Sequence, residues 1–287
     1  MMDMKHTQLT KLHVFAVSFF LSTAFALGQN NNGDYTATKV ADRVWAIVES
    51  AATPVNIYLV EGKDSALLID TGYGYGDLKA YVKTLTKLPM IVVNTHGHGD
   101  HNGNNSQFSN IYAHSADFNM LNASFNREKR KKAVAPGEVV APPTLMPVKE
   151  GYIFNLGDRK LEVIEVPGHT RGSICLLDTK NRILFAGDNT NTLVWLFLKD
   201  CTPLEVYLKS LQKVAKRSNE FDTVMPGHNE PLPTTFINDQ IGCVKNILAG
   251  TCSPVPYNVG SFSAGAMLCA YNNAQVAYDP ENLFEKK

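Results

Sequence analysis

The chain has no surplus of charge in either direction: 27 Lys and Arg stand against 27 Asp and Glu in 287 residues. Affinity for nucleic acid rests on many cationic side chains gathered against phosphates, so this balance excludes a general polyanion binder, and no nucleic-acid partner is expected. Cysteine is scarce, five residues in all, and no two sit at C-x-x-C spacing, which excludes a thiolate zinc knot and a dithiol redox pair. No short-period repeat is present, so a solenoid is excluded as well. The apolar stretch near the start, residues 14–27, would span roughly 21 Å as a helix, short of the roughly 30 Å hydrocarbon core. What is present is a 44% hydrophobic complement, ample for the core of a globular protein.

Lys5 and Lys11 precede that apolar stretch and Gln29, Asn30, Asn31 and Asn32 follow it, the layout of a secretory signal. Ala24-Phe25-Ala26 and Ala26-Leu27-Gly28 offer cleavage points, so residues 1–28 are read as a signal peptide cleaved near 26 or 28, with an uncleaved anchor as the alternative. Cleavage leaves no stable membrane span and puts the mature chain in a periplasm or outside the cell. In that setting Cys175, inside the apolar run 173–177, reads as a buried free thiol. Cys201, Cys243, Cys252 and Cys269 are open to one or two disulfides, in a pairing that spacing does not fix.

Residues 35–287 read as one large domain. Strands are expected at 44–48, 55–60 and 66–70, and a helix over 77–88 with Leu78, Tyr81, Val82 and Leu85 on one face. Short strands follow at 90–94 and 111–113. Residues 123–150, with the basic run 127–132 and Pro136, Pro142, Pro143 and Pro147, are expected to form a long exposed connection, the basic run being a solvated face. Strands recur at 151–156, 160–166, 173–177 and 182–186, helices at 203–216 and 234–249 around a strand at 223–225, and a hairpin turns at Asn272-Asn273. Two strand-rich halves, each followed by helices, imply two packed sheets with helices outside.

The eight histidines are unevenly placed, three of them in His96-Gly97-His98-Gly99-Asp100-His101 directly after a strand. Neutral imidazoles suit Zn²⁺, Fe²⁺ or Ni²⁺, and the glycines leave room for a tight loop of ligands. One loop cannot close two coordination shells. Further donors stand at strand-to-loop junctions: His169 in Pro167-Gly168-His169-Thr170, Asp188 in Ala186-Gly187-Asp188-Asn189, and His228 in Pro226-Gly227-His228-Asn229.

With Leu68-Ile69-Asp70-Thr71-Gly72 ahead of them, these motifs in this order resemble the metallo-β-lactamase-fold hydrolases over about residues 40–232. The resemblance implies an α/β fold, an αββα four-layer sandwich with a dinuclear metal site at one edge between the sheets. His96, His98 and His169 would bind one Zn²⁺, and Asp100, His101 and His228 a second; Asp188 would bridge them and Asp70 would orient a ligand loop, with Fe or Mn possible in place of zinc. His114 stays outside this set. Asp188, where zinc β-lactamases carry Cys, resembles glyoxalase II, the acyl-homoserine lactonases and ribonuclease Z. The short stretch after His228 leaves little room for the glutathione-binding domain of glyoxalase II, and no basic arm of a transfer-RNA nuclease is apparent. The implied activity is hydrolysis of a small carboxylic ester, thioester or lactone by a metal-bridged hydroxide that Asp100 orients; β-lactam amides, and after them phosphodiesters, are the alternatives. Candidate substrate contacts are Tyr73 and Tyr75 on the loop after Asp70, Trp195 as an apolar wall, and Arg171 toward a substrate carboxylate.

Overall fold

The computed structural model describes residues 30–31, 34–51, 53–131 and 141–286; the leader expected at 1–28 and the stretch 132–140 lie outside the described residues. The first sheet has eight strands in chain order: β1 (Asn30–Asn31), β2 (Tyr35–Ala41), β3 (Val44–Glu49), β4 (Asn56–Glu61), β5 (Ala66–Ile69), β6 (Met90–Val93), β7 (Asn110–His114) and β8 (Thr144–Val148). Pairing is antiparallel as far as β5 and parallel from β5 to β8. The run Ala-Leu-Leu-Ile of β5 is buried throughout, as a central strand covered on both faces requires.

The second half builds two sheets rather than one. Strands β9 (Ile153–Asn155), β10 (Lys160–Glu165), β11 (Ile174–Asp178), β12 (Ile183–Gly187), β14 (Thr223–Pro226) and β15 (Leu232–Pro233) form the second sheet. A third, of four strands, joins β13 (Leu193–Leu196) to β18 (Ala274–Tyr278), then β17 (Met267–Tyr271) and β16 (Val255–Pro256). The expected hairpin is present as β17 and β18, with Tyr271 opposite Ala274.

Tyr58, Val60, Leu67 and Ile69 of the first sheet meet Val163, Ile174, Leu176 and Phe185 of the second. Each such side chain contributes roughly 1.5–3 kcal/mol on burial. Helix α1 (Leu78–Leu85) starts where the Asp77 carboxylate accepts from Ala80 N at 2.9 Å, and it lays Leu78, Tyr81 and Val82 on the outer face of the first sheet. Helices α4 (Leu204–Ala215) and α5 (Phe236–Leu248) cover the second sheet through Val214 and Ile237, which completes the αββα order. Their other side, Leu204, Tyr207, Leu211, Phe236 and Val244, is buried by the third sheet.

Two parts of the segment 123–150 depart from the expected long connection. Arg, Lys and Glu are good helix formers, and residues 127–131 of the basic run continue helix α3 (Phe118–Lys131), which buries Leu121 and Phe125. Residues 144–148 then form β8, at the edge of the first sheet. Of the cysteines, Cys252 and Cys269 are bonded, while Cys175, Cys201 and Cys243 are buried thiols. Strands β10, β12 and β14 all run one way, since each is either parallel to its neighbour or separated from it by one antiparallel strand. The loops bearing His169, Asp188 and His228 therefore leave the same sheet edge.

Candidate metal centre

The short helix α2 (Gly99–Asn102) follows β6 and turns Asp100 and His101 back over the sheet edge. Asp70, at the end of β5, has φ of +64°, a left-handed conformation that Asp tolerates better than most residues. That turn aims its buried carboxylate at three partners: Thr95 N and Thr95 Oγ1 donate at 2.8 Å each, and His101 Nδ1 lies at 2.9 Å. Thr95 Oγ1 also stands 3.0 Å from His96 Nδ1. His169 Nδ1 donates to the Trp195 carbonyl at 2.8 Å, and His228 Nδ1 to the Pro54 carbonyl at 2.9 Å. His98 uses its other nitrogen, Nε2, which lies 2.6 Å from Asp200 Oδ2.

Each imidazole thus has its outward nitrogen engaged and turns its other nitrogen inward. His98 Nδ1 and His169 Nε2 face each other at 2.8 Å, two ring nitrogens that with His96 offer one cation a set of three donors. His96 Nε2, His101 Nε2 and Asp188 Oδ1 are buried without a hydrogen-bond partner. Asp188 stands between the two triads: Oδ2 is 3.4 Å from His169 Nε2 and 3.5 Å from His228 Nε2, and Oδ1 is 3.5 Å from His101 Nε2. Asp100 Oδ2 lies 3.4 Å from His228 Nε2 and 3.7 Å from His101 Nε2. Tetrahedral bonds of about 2.0–2.2 Å separate neighbouring donors by about 3.3–3.6 Å, so these spacings fit divalent ions. Three overlapping donor groups could each hold one: His96, His98 and His169; His96, His101 and Asp188; Asp100, His101 and His228. Gly227 explains the Pro-Gly-His motif, because a Cβ there would meet Asp188 Oδ1 at 2.3 Å and His101 Cε1 at 2.7 Å.

The two triads differ electrostatically. Burial, then the His101 charge, holds His96 well below the ordinary histidine range, and burial with His98 brings His169 down to about 4. Burial would also lower His101 and His228, but the carboxylates of Asp188 and Asp100 outweigh it, holding His101 well above its usual range and pushing His228 up to about 10. Burial opposes ionisation of Asp100 and Asp188 in turn; His101 and His228 reverse that, bringing Asp100 to about 2 and Asp188 well below its usual value.

The centre opens into a cleft of about 810 Å³ whose wall includes Tyr73, Leu193, Val194, Trp195 and Leu198 beside His98, Asp100, His169, Asp188 and His228. Of the candidate substrate contacts, Tyr73 and Trp195 line this cleft. Tyr75 stacks on Tyr73 at 5.4 Å but is 66% exposed and outside the wall. Arg171 is exposed and also outside it: the neighbouring Gly172 N and Thr170 Oγ1 are turned inward onto Asp117, at 2.8 and 2.7 Å, and the arginine is left facing solvent. His114 pairs with Glu165 at 3.2 Å, apart from the cluster.

Three acidic residues absent from the motif reading support the site. Asp200 holds His98. Buried Asp117 also accepts from Gly97 N at 2.8 Å, and so ties the His96–His98 loop to the His169 loop. Buried Glu49 accepts from Tyr73 N at 2.5 Å and Tyr75 N at 2.8 Å, which fixes the loop that presents Tyr73. Only Glu49 carries a sequence signal, a charge closing an apolar strand.

Comparison with known proteins agrees with this geometry. The model of the metallo-beta-lactamase superfamily matches residues 51–228. The acyl-coenzyme A thioesterase MBLAC2 of Gallus gallus is 33% identical over 60% of this chain and 72% of its own length. The Homo sapiens protein of the same name is 29% identical over 68% of this chain and 81% of its own. Among solved structures, a metallo-beta-lactamase from Pontibacter korlensis superposes with a TM-score of 0.57 over 74% of this chain and 99% of that one, at 20% identity, a likeness of fold. With its motifs, its sandwich and its donor cluster in agreement, the chain belongs to the metallo-beta-lactamase superfamily of metallo-hydrolases.

Proposed function

We propose that this chain is an exported, dinuclear zinc hydrolase of acyl thioesters, with carboxylic esters and lactones as lesser substrates. The observation that carries the reading is one cleft in which a two-triad donor set meets an apolar wall of Leu193, Val194, Trp195 and Leu198. The relatives described as acyl-coenzyme A thioesterases support the choice of thioester. When bound, a pair of such ions supplies Lewis acidity and activates water.

The side chains divide the remaining work. His96, His98 and His169 serve one position, Asp100, His101 and His228 the other, and Asp188 both. Asp100, ionised down to about pH 2, stays an anion that is able to orient the attacking water by accepting its hydrogen bond. Burial and the nearby Asp100 raise the Tyr73 phenol to about 12, so it stays a proton-bearing donor at the cleft mouth. Trp195 excludes water from the acyl side. The leader and the Cys252–Cys269 disulfide support export to an oxidising compartment, and among the described residues no helix is long and apolar enough to cross a membrane.

The test is turnover of the purified protein against matched thioester, ester, lactone, β-lactam and phosphodiester panels, with bound metal quantified. Thioester kcat/KM should exceed the others with close to two ions per chain. β-Lactam turnover far above thioester turnover, or protein without metal after metal-replete purification, would overturn the reading. N-terminal sequencing of the exported protein should begin at residue 27 or 29.

A further inference from the structure

From Cys252 to Tyr278 the sequence carries no charged residue. The disulfide between Cys252 and Cys269 closes the first part of this stretch into a loop. Two of the loop's aromatic rings reach the cleft wall. Trp195 Nε1 donates to Tyr257 Oη at 2.9 Å, and the Phe262 ring lies 5.7 Å from Trp195 and 6.2 Å from Phe197. The Trp195 carbonyl meanwhile accepts from His169 Nδ1, so the indole stands at a fixed offset from the donor cluster. Although it packs on two other rings, Phe262 keeps 56% of its surface exposed, and Val259 beside it keeps 44%. Trp195, Phe197 and Phe262 therefore extend the apolar wall beyond the cleft, and the loop's own share of that face carries no charge.

We propose that the disulfide-closed loop sets acyl-chain length: carbons that the cleft cannot house lie along the Phe197–Phe262 face. The proposal rests on the thioesterase reading above. Each methylene moved from water onto such a face raises affinity about fourfold, so contact with two or three of them is worth at least about tenfold.

The test compares acetyl, hexanoyl and decanoyl thioesters of one thiol on the full chain. In parallel, S-ethyl and S-decyl thioethers of that thiol, which cannot be hydrolysed, are titrated by quenching of tryptophan fluorescence. In Phe262→Ala, the decanoyl-to-acetyl ratio of kcat/KM should fall about tenfold through KM, with S-decyl affinity falling alongside. Tyr257→Phe, which frees the indole, and the Cys252→Ser/Cys269→Ser pair should move the ratio the same way. An unchanged ratio and unchanged S-decyl affinity in Phe262→Ala overturn the proposal, as does equal binding of S-ethyl and S-decyl thioethers by the wild-type chain. If no thioester is turned over while S-decyl binding is strong and lost in Phe262→Ala, the thioesterase reading fails and the role of the loop stands.

Discussion

Two carboxylates back the imidazoles from outside, and replacing them one at a time should separate the two ion positions. Asp200 faces His98 Nε2 at 2.6 Å with about a third of its side chain exposed, while Asp70 faces His101 Nδ1 at 2.9 Å and is 2% exposed. A carboxylate in this position fixes the tautomer and raises the basicity of the ligating nitrogen, and losing one weakens metal binding by roughly 10–100-fold. Water can take over part of the Asp200 contact, which puts Asp200→Asn near tenfold, or about 1.4 kcal/mol, at the His96–His98–His169 position. Asp70 is buried away from bulk solvent and also accepts both Thr95 donors. Asp70→Asn should therefore cost nearer 100-fold, about 2.7 kcal/mol, at the Asp100–His101–His228 position, and lower Tm as well. Zn²⁺ competition against a chromogenic chelator yields two stepwise constants for each variant. Identical constants for Asp200→Asn and wild type would refute the His98 argument. Equal weakening of both constants by Asp70→Asn would refute the assignment of one carboxylate to each position.

Other consequences are open to direct measurement. Because His101 and His228 are held protonated at pH 7 by Asp188 and Asp100, an ion entering their position must displace about two protons, so affinity rises with pH toward the His228 value near 10 and falls as the solution is acidified. Isothermal titration in buffers of different ionisation enthalpy counts those protons, and a count near zero contradicts the charge pattern. Asp100→Ala should lose about 100-fold or more in kcat if it orients the attacking water, and His96→Ala should fall at least as far with a native circular dichroism spectrum; a folded, metal-free His96→Ala protein with full activity refutes metal catalysis. Far from the centre, Arg159 is buried with Nη2 on the Asp42 carbonyl at 2.8 Å and Nε 3.7 Å from Asp178 Oδ2. Asp178→Ala should cost about 3–5 kcal/mol in denaturant unfolding by leaving that guanidinium without its counter-charge, whereas Arg159→Met with Asp178→Asn should recover most of the loss.

The site was more legible in the sequence than its supports, and the reason is geometric. His96, His98, Asp100 and His101 leave one short loop, so their convergence is local and the spacing reveals it. His169, Asp188 and His228 each follow a strand, and parallel strand direction brings their loops to one edge. Asp200 and Asp117 have no such signature: their partners are 102 and 20 residues away, at His98 and Gly97, and only the packed sheets bring them together. Arg171 lies outside the cleft wall for a related reason: proximity in sequence to His169 does not fix which way a side chain leaves a loop whose neighbours are anchored inward. The third sheet follows this rule within itself. Its β17–β18 hairpin is local and was expected, but the parallel pairing of β13 with β18 joins Val194 to Val276, and nothing near either residue announces it. That unannounced pairing sets Trp195 in the cleft wall, against Tyr257 and Phe262, and it gives a physical reason why the chemistry could be read from motifs while the shape of the acyl side could not. Metal ligation leaves chemically distinctive residues at the ends of strands, whereas an apolar wall needs only rings of adequate size brought together by distant segments.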